Sequence, residues 1–114
     1  MALPAQVTET RLSPEAYFAF AAKQERRYEY EHGELVDRGL TESSHSELMI
    51  NISSVLKQTV KGRPYKVFAE TVGLEVEENG RYYLPDVMLS CDARDLKPSK
   101  IKHYPCLVVE ILSP

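Results

Sequence analysis

The spacing of apolar positions along this chain switches between the helical and the extended period several times. Ser13-Pro14-Glu15 has the makings of a helix start. A serine can cap, a proline suits the first helical position, and an acid complements the dipole. The helix carries Tyr17, Phe18 and Phe20 and fades near Glu25. Arg27 to Glu31 and Glu34 to Arg38 then alternate polar with apolar around His32-Gly33. Two alternating runs about a two-residue turn containing glycine predict a β-hairpin. Helical spacing returns with Leu48, Ile52, Val55, Leu56 and Val60. Ser43 or Ser44 is the expected cap, with Glu47 completing a capping box. Gly62 is the expected stop, so this longest helix should reach about Lys61.

The remainder reads as strands. Tyr65 to Ala69, Gly73 to Glu77 and Arg81 to Leu89 are the first three, with Asn79-Gly80 as a turn. Pro85 lies inside the third. Proline cannot donate to a ladder, so a bulge or bend is expected there, aiming Asp86 into a site. Asp92 to Pro105 is polar and reads as a loop, with one helical turn at Asp95 to Lys97. The last run, Cys106 to Leu112, is six apolar residues interrupted by Glu110. That density predicts a strand buried on both faces. The order of elements makes the chain α+β, with a mixed or antiparallel sheet flanked by helices.

Size and composition add modest bounds. A chain of 114 residues is one domain by length, with residues 1–11 as a flexible tail. No apolar run approaches the roughly 20 residues of a membrane helix. The polar N-terminus lacks a secretory signal, which predicts a cytoplasmic protein. Cys91 and Cys106 have no metal-ligand spacing and are expected as free thiols, with a disulfide between them the alternative. The net charge is −3, unevenly spread. Residues 1–50 hold five Lys/Arg against nine Asp/Glu, and residues 51–114 hold nine against eight. Lys57, Lys61, Arg63 and Lys66 form a run without an acid. Arg94, Lys97, Lys100 and Lys102 form another, diluted by Asp92 and Asp95. Either run could meet phosphates, or be a solvated surface.

The candidate chemistry rests on two acids in apolar surroundings, Asp86 and Glu110. An ionised carboxylate is costly to bury unless something positive meets it. A divalent cation between the two acids is one explanation, and a local Lys or Arg partner is the other. The acids are 24 positions apart, so they face each other only if their strands are neighbours. His45 at the helix start could orient water or contact phosphate, or be an exposed residue near the cap. Glu34, just past the hairpin turn, could reach the acid pair or be an exposed hairpin carboxylate. His32 reads as a turn residue and His103 as a loop residue.

Several of these segments together resemble one family. Tyr28-Glu29-Tyr30-Glu31-His32-Gly33-Glu34-Leu35-Val36, His45 opening a helix, Pro85-Asp86-Val87, and Val109-Glu110-Ile111-Leu112-Ser113-Pro114 occur in the order of the Uma2 family. That family is placed among the PD-(D/E)XK nucleases, with the restriction-endonuclease-like fold. The resemblance covers nearly the whole chain from about residue 12. It implies a helix, a three-stranded meander carrying both acids, and then a further helix and strands. It also implies that Asp86 and Glu110 bind Mg²⁺ or Mn²⁺. A lysine two residues after the second acid assists the attacking water in the superfamily, and here Leu112 stands there. In the Uma2 family the lysine comes instead from the following helix. The match runs out at Pro114, which implies a chain truncated after the Glu110 strand. Robust cleavage by this chain would mean that Lys97, Lys100 or Lys102 from the preceding loop replaces that lysine.

Three functions compete on these grounds. The first is a Mg²⁺-dependent endonuclease-like domain acting on DNA. The second is a non-catalytic binding or structural module of the same fold. The third is a hydrolase of another class, for which no Ser-His-Asp order, zinc spacing or Gly-rich loop speaks. The apolar final strand further predicts a homo-oligomer.

Overall fold

The computed structural model describes residues 11–24 and 26–112. The chain is α+β, with two helices and two sheets. By contact it falls into two compact units. Among the described residues, the first holds those up to Leu40 together with Glu75–Leu84, and the second holds Thr41–Leu74 and those from Pro85 onward.

In the first unit, α1 spans Pro14–Ala21 and is capped as expected, Ser13 Oγ accepting from Ala16 N–H at 3.1 Å. Strands β1 (Tyr28–Glu31) and β2 (Glu34–Asp37) form the hairpin. His32 and Gly33 both have positive φ, 47° and 93°. This is the turn whose twist matches a two-residue hairpin. A Cβ on Gly33 would lie 2.8 Å from the Arg11 Cβ, so space and backbone both demand glycine. Arg11 also donates to the His32 carbonyl. The rest of the expected N-terminal tail, residues 1–10, lies outside the described residues.

The core of this unit is aromatic. Tyr17, Tyr28, Tyr30 and Tyr82 are all buried, and the Tyr17 ring sits 5.1 Å from Tyr30 and 5.9 Å from Tyr82. Burying a phenol requires a partner for its hydroxyl. Tyr17 donates to the Tyr28 carbonyl at 2.7 Å and Tyr30 to the Leu12 carbonyl at 2.6 Å. Buried Glu29 accepts from Leu84 N–H at 2.7 Å and lies 3.7 Å from the Arg38 guanidinium.

Strand β4 (Gly73–Glu77) passes from the second unit into the first after Leu74, and β5 (Arg81–Tyr83) follows a three-residue turn. Asn79, at φ 54°, takes the left-handed position in that turn. The remaining strands are β3 (Lys66–Ala69), β6 (Val87–Ser90), β7 (Ile101–Lys102) and β8 (Leu107–Val109). One sheet runs β2-β1-β5-β4-β7, with β4 and β7 parallel. The other runs β3-β6-β8 and is antiparallel throughout.

The second unit packs α2 (Ser43–Thr59) on β3 and β6. Strand β6 is central in its sheet, and Val87, Met88, Leu89 and Ser90 are all buried.

Five expectations need correction. The capping box is absent. The chain is still extended at Glu42, which becomes the N-cap without a side-chain bond, so both serines are already helical. The helix stops at Thr59 rather than Lys61, although Gly62 does take positive φ, 83°. Pro85 does more than bend the third strand: β5 and β6 end up in different sheets, because a residue without N–H interrupts the ladder. The polar loop contains a short 3₁₀ turn at Ala93–Asp95 and the unforeseen strand β7. Finally, the last strand is only Leu107–Val109 and is not buried on both faces. It lies at a sheet edge, with Leu107 and Val108 each 41% exposed.

Candidate functional site

The site builds outward from Pro85. The broken ladder leaves Asp86 at the start of β6, the strand most completely enclosed. Asp86 is 0% exposed. A carboxylate so placed needs polar company. Its Oδ2 accepts from Ile111 N–H at 2.7 Å, and its Oδ1 lies 3.2 Å from His45 Nε2. Strands β6 and β8 pair as Val87↔Val109, Met88↔Val108 and Leu89↔Leu107. Asp86 and Glu110 are the residues next to the end pair Val87↔Val109 on the two chains. Glu110 itself is exposed, one residue beyond β8.

His45 is the third residue of α2 and is 9% exposed. It is therefore no exposed residue near the cap. The contact of α2 with β6 turns its ring toward Asp86. The second unit thus brings together His45, Asp86 and the chain at Glu110 and Ile111. Glu34 belongs to the first unit, exposed at the hairpin, with an oxygen 3.8 Å from the Arg11 guanidinium. Exposed pairs of this kind contribute little. His32, in the turn, lies 2.7 Å from a Glu77 oxygen.

A second buried acid supports this site, and the sequence reading missed it. Asp95, 1% exposed, ties down the loop between β6 and β8. Oδ1 accepts from His103 N–H at 2.9 Å, and Oδ2 from Tyr104 N–H at 2.7 Å and the Ser90 hydroxyl at 2.9 Å. Burial alone would raise its pKa. The two amides and the hydroxyl outweigh that and hold it below the usual carboxylate value. The only sequence signal was an acid opening the helical turn expected within a polar loop.

Lys102 is also buried, 1% exposed. Its ammonium donates to the Lys97 carbonyl at 2.7 Å and the Ser99 hydroxyl at 2.9 Å, and sits 4.6 Å above the Phe68 ring. These contacts commit it to closing its own loop. Cys91 and Cys106 are free and exposed. Among the described residues, no three His, Cys, Asp or Glu side chains gather closely enough to hold a metal ion by themselves. No described helix is long and apolar enough to cross a membrane.

Comparison with known proteins gives this arrangement a context. The model of the Uma2 family, described as "Putative restriction endonuclease", matches residues 14–114. "Uncharacterized protein slr1290" of Synechocystis sp. is 32% identical over 104 residues, covering 91% of this chain and 55% of that protein. "Uncharacterized protein sll1609" of the same organism is 26% identical over 87 residues, covering 75% of this chain and 49% of that protein. The chain spans about half the length of these curated relatives. A crystal structure titled as a "putative nuclease belonging to DUF820", from Anabaena variabilis, superposes with a TM-score of 0.73 at 20% identity. It is matched over 90% of this chain and 59% of its own length, and the likeness shows a shared fold. With the family match running from the first helix through the strand that leads to Glu110, the chain belongs to the Uma2 family.

Proposed function

We propose that this chain carries the acid pair of a metal-dependent endonuclease, with Asp86 and Glu110 holding Mg²⁺ or Mn²⁺ for hydrolysis of DNA phosphodiester bonds. The observation that carries the reading is the β6–β8 register, whose end pair Val87↔Val109 is followed on the two chains by Asp86 and Glu110. The donor set fits such a cation. Two carboxylates are hard oxygen ligands, and Mg²⁺ characteristically takes one or two of them and fills its other positions with water and substrate phosphate. A zinc-type centre, built from three or four protein ligands, does not match what the described residues offer.

Bound there, the cation would neutralise charge at the phosphate oxygens and acidify an attacking water. The protein's own groups prepare the site. The Ile111 amide fixes one Asp86 oxygen, and His45 faces the other. Burial keeps Asp86 in one orientation, and Glu110 is exposed.

A second reading is a non-catalytic module of the same fold. Leu112 favours it, being an aliphatic residue, 88% exposed, at the place where the superfamily pattern has a lysine. Calorimetric titration with Mn²⁺ tests the shared premise. Wild type should bind, and Asp86→Asn should not. Equal binding by both would overturn the metal assignment. Mn²⁺ binding without Mg²⁺-dependent nicking of plasmid DNA, in a chain that keeps any residues following Pro114, would select the second reading.

A further inference from the structure

The acid-free run of basic residues takes on a definite shape in the second unit. Lys57, Lys61, Arg63 and Lys66 line one cavity of about 420 Å³, together with Val60 and Tyr65. It lies where α2 ends and β3 begins. Elsewhere Arg11, Arg26, Arg38, Arg81 and Arg94 each face a carboxylate. Among the described residues none of the four cavity cations does so, and all four are exposed. A helix C-terminus carries only about half a negative charge. One lysine in the last turn answers that, and the other three are left over. Uncompensated positive charge gathered around a concavity, in a chain whose net charge is −3, is an arrangement for a polyanion.

The cavity also has a definite place relative to the acid pair. His45 and Lys57 are twelve residues apart on α2, roughly 18 Å at 1.5 Å per residue. On the sheet, Lys66 pairs with Ser90 and Ala69 with Val87, one residue from Asp86. That separation is roughly 13 Å at about 3.3 Å per residue. Duplex DNA rises 3.4 Å per base pair, so the interval corresponds to about four or five base pairs.

We propose that this cavity seats a backbone phosphate of duplex DNA while Asp86 and Glu110 address a phosphodiester about four or five base pairs away. The inference rests on the nuclease reading above, because it takes DNA as the substrate.

The test is fluorescence anisotropy with a labelled 20-base-pair duplex in EDTA, so that neither metal binding nor cleavage enters the readout. Each lysine–phosphate contact contributes about 0.9 to the logarithmic salt slope. Lys61→Gln combined with Arg63→Gln should therefore weaken binding about 60-fold at 0.1 M salt and flatten the slope by about two. Lys61→Arg should bind like wild type. Lys23→Gln combined with Arg26→Gln removes the same charge in the first unit and should cost less than about threefold. Equal losses in the two double variants would overturn the site, as would unchanged binding or a wild type that fails to bind duplex at low salt. Millimolar inorganic phosphate that occupies the cavity without being displaced by duplex would mean an adventitious anion site, and would also overturn it. Asp86→Asn should retain duplex binding in EDTA. Failure of the metal titration and failure of this inference are thus read separately.

Discussion

Asp95→Asn is the most discriminating test of how the acid pair is held in register. Asp95 is enclosed and accepts three hydrogen bonds, two from the backbone of the segment that leads into β8. Asparagine has the same shape but only one accepting oxygen. If that oxygen keeps His103 N–H, the new amide points its own hydrogens at Tyr104 N–H. The Ser90 hydroxyl can rotate to accept, but the Tyr104 amide cannot. The loss is one charge-assisted bond, about 1.5–3 kcal/mol, plus a buried donor left without an acceptor, about 1–3 kcal/mol. A total near 3 kcal/mol is expected, a large share of a domain's 5–15 kcal/mol. With a urea m-value of about 1.5 kcal/mol per molar, the midpoint should fall by about 2 M. The pH dependence follows from the sign of the shift. The folded-state pKa of Asp95 is lowered. Its contribution is therefore complete above the unfolded value near 4, and it is lost as pH falls through the folded value. The gap between wild type and variant should be flat from pH 7 to about 5 and should close at lower pH. A midpoint shift under about 0.5 M at pH 7, or a gap that widens in acid, would refute the assignment.

His45→Ala should destabilise the chain by about 3 kcal/mol in urea titrations, because Asp86 would remain buried after losing the group that faces its Oδ1. His45→Gln, which keeps a donor, should recover part of that loss, and an unchanged midpoint in His45→Ala would sink the pairing. Gly33→Ala forces both a positive φ and a clash with the Arg11 side chain. It should cost about 1–2 kcal/mol, read as a drop in melting temperature, while leaving Mn²⁺ titration in the second unit intact.

The first helix, the hairpin and α2 were legible because their signals are local. Ser13 needs only Ala16 to show its role, and His32-Gly33 needs only its two flanking runs. Asp86 stood out because a carboxylate between apolar neighbours is conspicuous. What the sequence concealed depends on distant partners. Leu107 and Val108 look like core residues, yet they lie at an edge because β6 takes the central place. Pro85 announced a disturbance, but which sheet each half would join depends on β1 and β3, far off in sequence. Asp95 looked like an ordinary loop acid, since its three donors come from Ser90, His103 and Tyr104 and no periodicity links them. The Ile111 contact with Asp86 is made by backbone, which no side-chain pattern can report.

The tyrosine-lined core of the first unit has an optical consequence. The chain has seven tyrosines and no tryptophan, and Tyr17, Tyr28, Tyr30, Tyr82 and Tyr83 all fall in that unit. Burial, helped by the Glu29 carboxylate, pushes the Tyr17 phenol up to about 12. Burial and the hydrogen bond to Glu75 raise Tyr82, and burial and Glu31 raise Tyr83. A phenol whose folded-state value is raised stabilises the fold fully below its unfolded value near 10, and that contribution drains away as pH climbs through the folded value. Phenolate absorbance from Tyr17, Tyr82 and Tyr83 therefore develops late in an alkaline titration. That late absorbance is a label-free gauge of whether the first unit is intact, independent of any event at the acid pair.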